Sequence, residues 1–108
     1  MYQRGKRLRI YVSESDHYEN IPLFEWILNK AKDQNLAGAT IFRGMEGFGF
    51  HKKNHNAKIL CLSQNLPIII EMVDTDKNIM DFCNYIESAI EEGMTTIEDL
   101  DIRFHRKT

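Results

Sequence analysis

Leu8, Ile10 and Val12 alternate with Arg7, Arg9 and Tyr11. That two-residue period belongs to a strand with one face buried, so residues 7–13 are read as the first strand. Residues 14–20 are polar and read as a loop. Pro22 suits the first position of a helix, where its missing N–H costs nothing. Beyond it Leu23, Phe24, Ile27, Leu28 and Ala31 gather on one helical face, and Gln34-Asn35 is a stop, since Asn tolerates a left-handed cap. Gly38 opens a second strand over residues 39–43. After a less regular segment, residues 44–65, a third strand covers residues 66–74. Thr75 or Asp74 caps a second helix, and acids near its start suit the helix dipole. Its buried stripe is Ile79, Phe82, Cys83, Ile86, Ala89 and Ile90, and Gly93 ends it. In a last strand over residues 96–104, Leu100, Ile102 and Phe104 alternate with Asp101 and Arg103.

Two βαβ-like halves in so short a chain predict a ferredoxin-like α+β sandwich: a βαββαβ order, a four-stranded antiparallel sheet, and both helices on one face. One strand conflicts with a half-open sheet. Ile68, Ile70 and Met72 lie on one side of the third strand, and Ile69 and Val73 on the other. A strand apolar on both faces is expected to be buried on both. Two helices cover only one face, so the other takes either a further copy of the chain or a loop folded over the sheet. By parity, Leu100, Ile102 and Phe104 are expected to face the helices, and Arg103 to face away from them.

The chain has 108 residues, one domain's worth, with a core expected at about residues 7–105. Its formal net charge of -2 argues against nucleic-acid binding, which calls for a basic domain. The even total hides an uneven distribution. From Glu71 to Asp101 there are ten acids and one base, Lys77, while His51 to Lys58 has three lysines, two histidines and no acid. Cys61 and Cys83 each sit in an apolar run, where cysteine behaves as a small hydrophobe. No apolar targeting segment follows the basic start of the chain, so a cytoplasmic protein is the expectation.

The segment from Arg43 through Gly44, Gly47, Phe48 and Gly49 draws attention. Three glycines in six positions let the backbone turn left-handed and approach a ligand closely, and N–H groups in such a bend can form an anion-binding nest. A bulged or tightly turning strand end uses the same residues. The spacing is neither a Walker A loop nor a dinucleotide fingerprint. The basic run that follows reads as an exposed loop whose lysines suit phosphate. His51 and His55 stand four apart with no cysteine or carboxylate beside them to complete a metal site. Cys61 in its apolar run suits packing better than nucleophilic attack. No cofactor, metal or catalytic group is assigned, and the chain is read as a non-enzyme.

Taken together, Arg43-Gly44-x-x-Gly47-Phe48-Gly49, His55, Leu60-x-Leu62-Ser63-x-x-Leu66-Pro67 and Ile70-Glu71-x-Val73-Asp74 resemble an uncharacterised family of bacterial and archaeal P-II-like signalling proteins, within the GlnB-like superfamily. Pro22-Leu23 and Ile10-Tyr11 agree with it. The resemblance implies a homotrimer with the sheets lining its interior. It implies small ligands, often adenine nucleotides, in clefts between subunits, and a loop that touches a membrane transporter or an enzyme. Here that loop is residues 49–65, and it lacks the tyrosine that nitrogen-regulatory P-II proteins modify. The expectation is a trimeric regulator binding a small anionic ligand through Arg43, Gly44, Gly47, Phe48, Gly49, His55, Lys58 and Arg103. The alternative is a ligand-free interaction protein docking through residues 50–65.

Overall fold

In the computed structural model, which describes residues 1–48 and 65–107, the first alternating run forms β1 (Gln3–Ser13). The strand starts earlier than the apolar pattern does, because its front end is held by charge: Lys6 Nζ lies 2.6 Å from Asp99 and the Arg4 guanidinium 3.5 Å from it. Residues 14–20, expected as a plain loop, enter a small ribbon of β2 (His17–Tyr18) and β3 (Ile21–Pro22). Between them Glu19 and Asn20 have φ of 51° and 69°, the two left-handed residues that a two-residue I′ hairpin needs.

Pro22 caps α1 (Leu23–Asp33) rather than beginning it, with φ at -56°. The far end behaves as its sequence predicts. Asn35 is left-handed at φ 59°. Its N–H donates to the Lys32 carbonyl at 3.0 Å, and the Leu36 N–H to the Ala31 carbonyl at 3.1 Å. These are the two bonds of a Schellman stop. β4 (Thr40–Arg43), β5 (Pro67–Asp74), α2 (Asp76–Ile86) and β6 (Met94–Ile102) follow. α2 ends seven residues before Gly93, and a 3-10 turn, Glu87–Ala89, continues from it. Gly93 is needed for another reason: its φ is 149° and a Cβ there would stand 2.6 Å from the Tyr11 carbonyl oxygen.

The four long strands form one sheet in the order β4-β5-β1-β6, antiparallel at every step. This is the ferredoxin-like α+β fold. One face carries the core. Leu8, Ile10 and Val12 of β1 and Ile68, Ile70 and Met72 of β5 pack with Leu23, Trp26, Ile27 and Ala31 of α1 and Ile79, Phe82 and Ile86 of α2. Both helices therefore lie on that side. None of the described helices is long and apolar enough to cross a membrane.

The parity expected for β6 is corrected by its register. Leu8 is opposite Ile97, whereas Gly5 is opposite Leu100 and Gln3 opposite Ile102. Leu100 and Ile102 are therefore on the face away from the helices, where Ile102 occupies the space above Gly5. Alternation along a single strand shows that two faces differ, but only the pairing to β1 shows which is which.

Asp74 is the buried charge of the core side, 4% exposed. Its carboxylate accepts the N–H of Ala37 at 2.7 Å, the N–H of Thr75 at 2.7 Å and the side-chain amide of Asn78 at 2.9 Å. It thus fastens the α1–β4 connection to the start of α2, while Thr75 caps that helix by accepting the Asn78 N–H. Burial pushes the carboxyl pKa up, but these donors outweigh it and hold it below the ordinary value. Because the folded pKa is the lower one, the stabilisation is fully present above the unfolded value of about 4 and disappears as pH falls through the folded pKa. Asp74→Ala is expected to cost about 3 kcal/mol in urea unfolding at pH 7, since it leaves buried donors unpaired. The gap between variant and parent should shrink below about pH 4. An unchanged midpoint at pH 7 contradicts this role.

Candidate ligand-binding site

At one end of the sheet β1 and β4 finish and β5 begins. Ser13 is opposite Pro67, and Arg43 opposite Ile68. The glycine segment continues from β4 across this end. The Gly44 N–H donates to the Pro67 carbonyl at 2.8 Å, extending the ladder by one residue. A Cβ on Gly44 would lie 2.6 Å from Pro67 Cγ, and one on Gly47 would lie 3.2 Å from it. Among the described residues the glycine with positive φ is Gly93. The left-handed turning expected of Gly44 and Gly47 is therefore absent, and close approach to the Pro67 ring explains their type. Met45 and Phe48, between and after them, are largely exposed.

Arg43 pairs with the buried Ile68, so its side chain leaves the sheet on the helical side. There its guanidinium meets the Glu14 carboxylate and lies 6.0 Å from the Phe24 ring centroid. Glu14 is fixed by its own backbone, whose N–H donates to the Leu66 carbonyl at 2.9 Å. Its side chain is 17% exposed. Oε2 takes Arg43, while Oε1 is buried with no hydrogen-bond partner among the described residues. Sequence reasoning missed Glu14, because nothing local connects an acid after the first strand with an arginine 29 positions later.

The open face of the sheet has a graded composition. By register, Phe42, Ile69, Tyr11 and Met94 form one row across all four strands, and Phe42 and Met94 are 48% and 47% exposed. The next row is Thr40, Glu71, Arg9 and Thr96, with Arg9 Nε 2.7 Å from Glu71. Further along, Arg7 meets Glu98 at 2.7 Å and its hydrogen bond holds that carboxyl below the ordinary value. The apolar row lies next to Gly44 and Pro67, at the same end of the sheet.

Not every expected site residue is at this end. Gly49, His55 and Lys58, together with Cys61 and the basic run between them, lie outside the described residues. Arg103 is exposed and directly follows β6, which stops at Ile102 instead of reaching residue 104. Ile102 is opposite Gln3, and the ten steps of β1 from Gln3 to Ser13 span about 34 Å. Within one chain, Arg103 and the glycine segment are at opposite ends. Of the other titratable candidates, His17 Nδ1 is 2.8 Å from the Ser15 carbonyl, and burial pushes the Cys83 thiol pKa up. Among the described residues no three His, Cys, Asp or Glu side chains are grouped to hold a metal ion.

The family model DUF190, described as "Uncharacterized ACR, COG1993", matches residues 5–102. A UPF0166 protein of Aquifex aeolicus is 34% identical over 99 residues, covering 92% of this chain and 93% of its own. A UPF0166 protein of Methanocaldococcus jannaschii is 37% identical over 76 residues, 70% of this chain and 69% of its own. Among solved structures, CPII from Thiomonas intermedia, bound to ADP and bicarbonate, superposes with a TM-score of 0.67 at 16% identity, over 94% of this chain and 91% of that one. A putative PII-like signaling protein from Thermus thermophilus gives 0.64 at 10% identity over 94% and 91%. At those identities the likeness is one of fold, and the fold is that of the PII-like proteins.

The Pro67 contacts give a test of why the glycines are there. Gly44→Ala should destabilise the chain by about 1–3 kcal/mol, the cost of forcing a methyl into packed space. Gly38→Ala, where a Cβ would meet nothing within 4 Å, should be neutral or stabilise by up to about 1 kcal/mol. Equal effects in denaturant titrations contradict the packing explanation.

Proposed function

The chain belongs to the DUF190 family, and from that premise we propose that it is a PII-like regulatory protein: a homotrimer that binds a small anionic ligand of the adenine-nucleotide class between subunits. The observation that carries this reading is a juxtaposition. The apolar row Phe42, Ile69, Tyr11 and Met94 crosses the sheet face away from the helices, and it ends beside the Gly44–Pro67 contact and Arg43. A surface suited to a second copy and a half-exposed guanidinium suited to an anion lie at the same end of the sheet, on its two faces.

Several features support it. Among the described residues the two helices cover one face of the sheet only, and a further copy of the same surface is an economical way to bury the other. Arg103 joins the glycine segment only from another copy, since within one chain the length of β1 separates them. An arginine fork suits phosphate or carboxylate. The shared fold with CPII, which was solved with ADP and bicarbonate, points to the same ligand class. A regulator rather than an enzyme fits the Cys83 thiol, whose raised pKa makes it a poor nucleophile at neutral pH. The partner is a membrane transporter or an enzyme, contacted through residues 49–65, and the protein works in the cytoplasm.

Light scattering should return three times the 12.7 kDa chain mass. ADP or AMP should raise the melting temperature, by the equivalent of about 2.7 kcal/mol at a hundredfold excess over Kd. Arg103→Ala should weaken binding by about 1.5–3 kcal/mol, the worth of a charged hydrogen bond, without lowering the ligand-free melting temperature. A monomer that no adenine nucleotide stabilises overturns the reading.

A further inference from the structure

Glu14 has a feature that the packing of the fold does not require. Its carboxylate is mostly buried beside the sheet end, yet among the described residues one of its oxygens is used, by Arg43, while Oε1 is enclosed without a hydrogen-bond donor. A buried carboxylate oxygen without a donor is costly, and such a cost persists where the group has other work. The carboxylate is also placed against a guanidinium that is 48% exposed at the start of the glycine segment. Arg43 is thus open to an anion on its outer side and held by Glu14 on its inner side.

We propose that Glu14 is a specificity-determining residue of this site, selecting ligands that carry both an anion and a hydrogen-bond donor. The inference rests on the ligand-binding reading above and deepens it. An arriving phosphate draws the Arg43 guanidinium outward, and that movement frees Oε2. The freed carboxylate then faces the ligand. A nucleotide satisfies it with a ribose hydroxyl or an exocyclic amine, each of which can donate to a carboxylate. A bare polyphosphate of similar charge has neither a ribose hydroxyl nor an exocyclic amine and brings mainly negative charge to Glu14, after competing with it for Arg43. The pair therefore favours nucleotides over inorganic polyphosphate through an unpaired charge set against the wrong ligand.

Calorimetry with ADP and with inorganic pyrophosphate, on the full-length protein, tests this because the two ligands should respond in opposite directions. In Glu14→Ala the affinity for ADP should fall about tenfold, the loss of one charge-assisted hydrogen bond. The affinity for pyrophosphate should rise at least about threefold, as Arg43 is released and the repulsion removed. Glu14→Gln keeps the side chain's shape and an acceptor oxygen without the charge. It should hold ADP within a few-fold of the parent and also tighten pyrophosphate, and it carries the test if the alanine variant does not fold. If ADP binds the parent protein and the ADP-to-pyrophosphate ratio is unchanged in both variants, or if both ligands shift together, Glu14 does not select the ligand. If neither ligand binds the parent protein, the ligand-binding reading itself fails and this inference fails with it.

Discussion

Two helices of eleven residues have to cover a sheet whose central strand is also eleven residues long. A helix rises about 1.5 Å per residue and a strand about 3.4 Å, so each helix spans less than half the length of β1. Coverage is therefore limited in two directions. The face away from the helices receives neither of the two described helices, and on the helical face the front of β1 and the back of β6 extend past the core. Charges take over at that uncovered end. Lys6 bonds Asp99 and approaches Asp76 at 3.9 Å, and Arg4 reaches Asp99. Exposed pairs of this kind add little stability each, but opposite charges across paired strands favour one register over its neighbours.

The same shortage of cover explains which parts of the structure can be foreseen. Features decided by neighbouring residues are legible. The alternation of β1, the Asn35 stop and the Thr75 cap each depend on chemistry within a few positions. Features decided by pairing are not. Leu100 and Ile102 alternate cleanly, but they reach the sheet beyond the helices, where the apolar side of β6 is the open face. The Glu19–Asn20 hairpin escapes a sequence reading because Glu is an unusual left-handed residue, although the adjacent Asn gives half the signal.

The candidate site shows the same division. The glycines mark a special backbone, and the structure agrees that side chains do not fit at Gly44. The cause differs from the one expected: the ring of Pro67, more than twenty positions away, rather than left-handed dihedrals. Arg43 is identifiable as a cation next to glycines, but its partner Glu14 is not, because the two meet only after β1, β5 and β4 have aligned. Asp74 is a similar case. Its place before a helix marks it as a capping candidate, while its bond to the Ala37 N–H depends on how the α1–β4 connection returns to the sheet.

In the proposed assembly, ligand binding and subunit association cannot be independent. A ligand held by Arg43 of one copy and Arg103 of another binds the associated state and not the separated chains. Mass action then requires that it strengthen association by the same factor by which association strengthens its binding. In that proposed assembly the apolar row would supply association that needs no ligand, while the Arg–carboxylate pairs beside it, Arg9–Glu71 and Arg7–Glu98, would fix how two faces can be set against each other, since misplaced like charges cost energy. The ligand then adds its differential contacts to an interface that already exists. Its effect is best placed where the glycine segment leaves the sheet toward residues 50–65, because a change in backbone position at Gly44 is passed directly into the chain that follows. On the proposed reading, binding between copies would in this way be converted into a change on the surface that a partner reads.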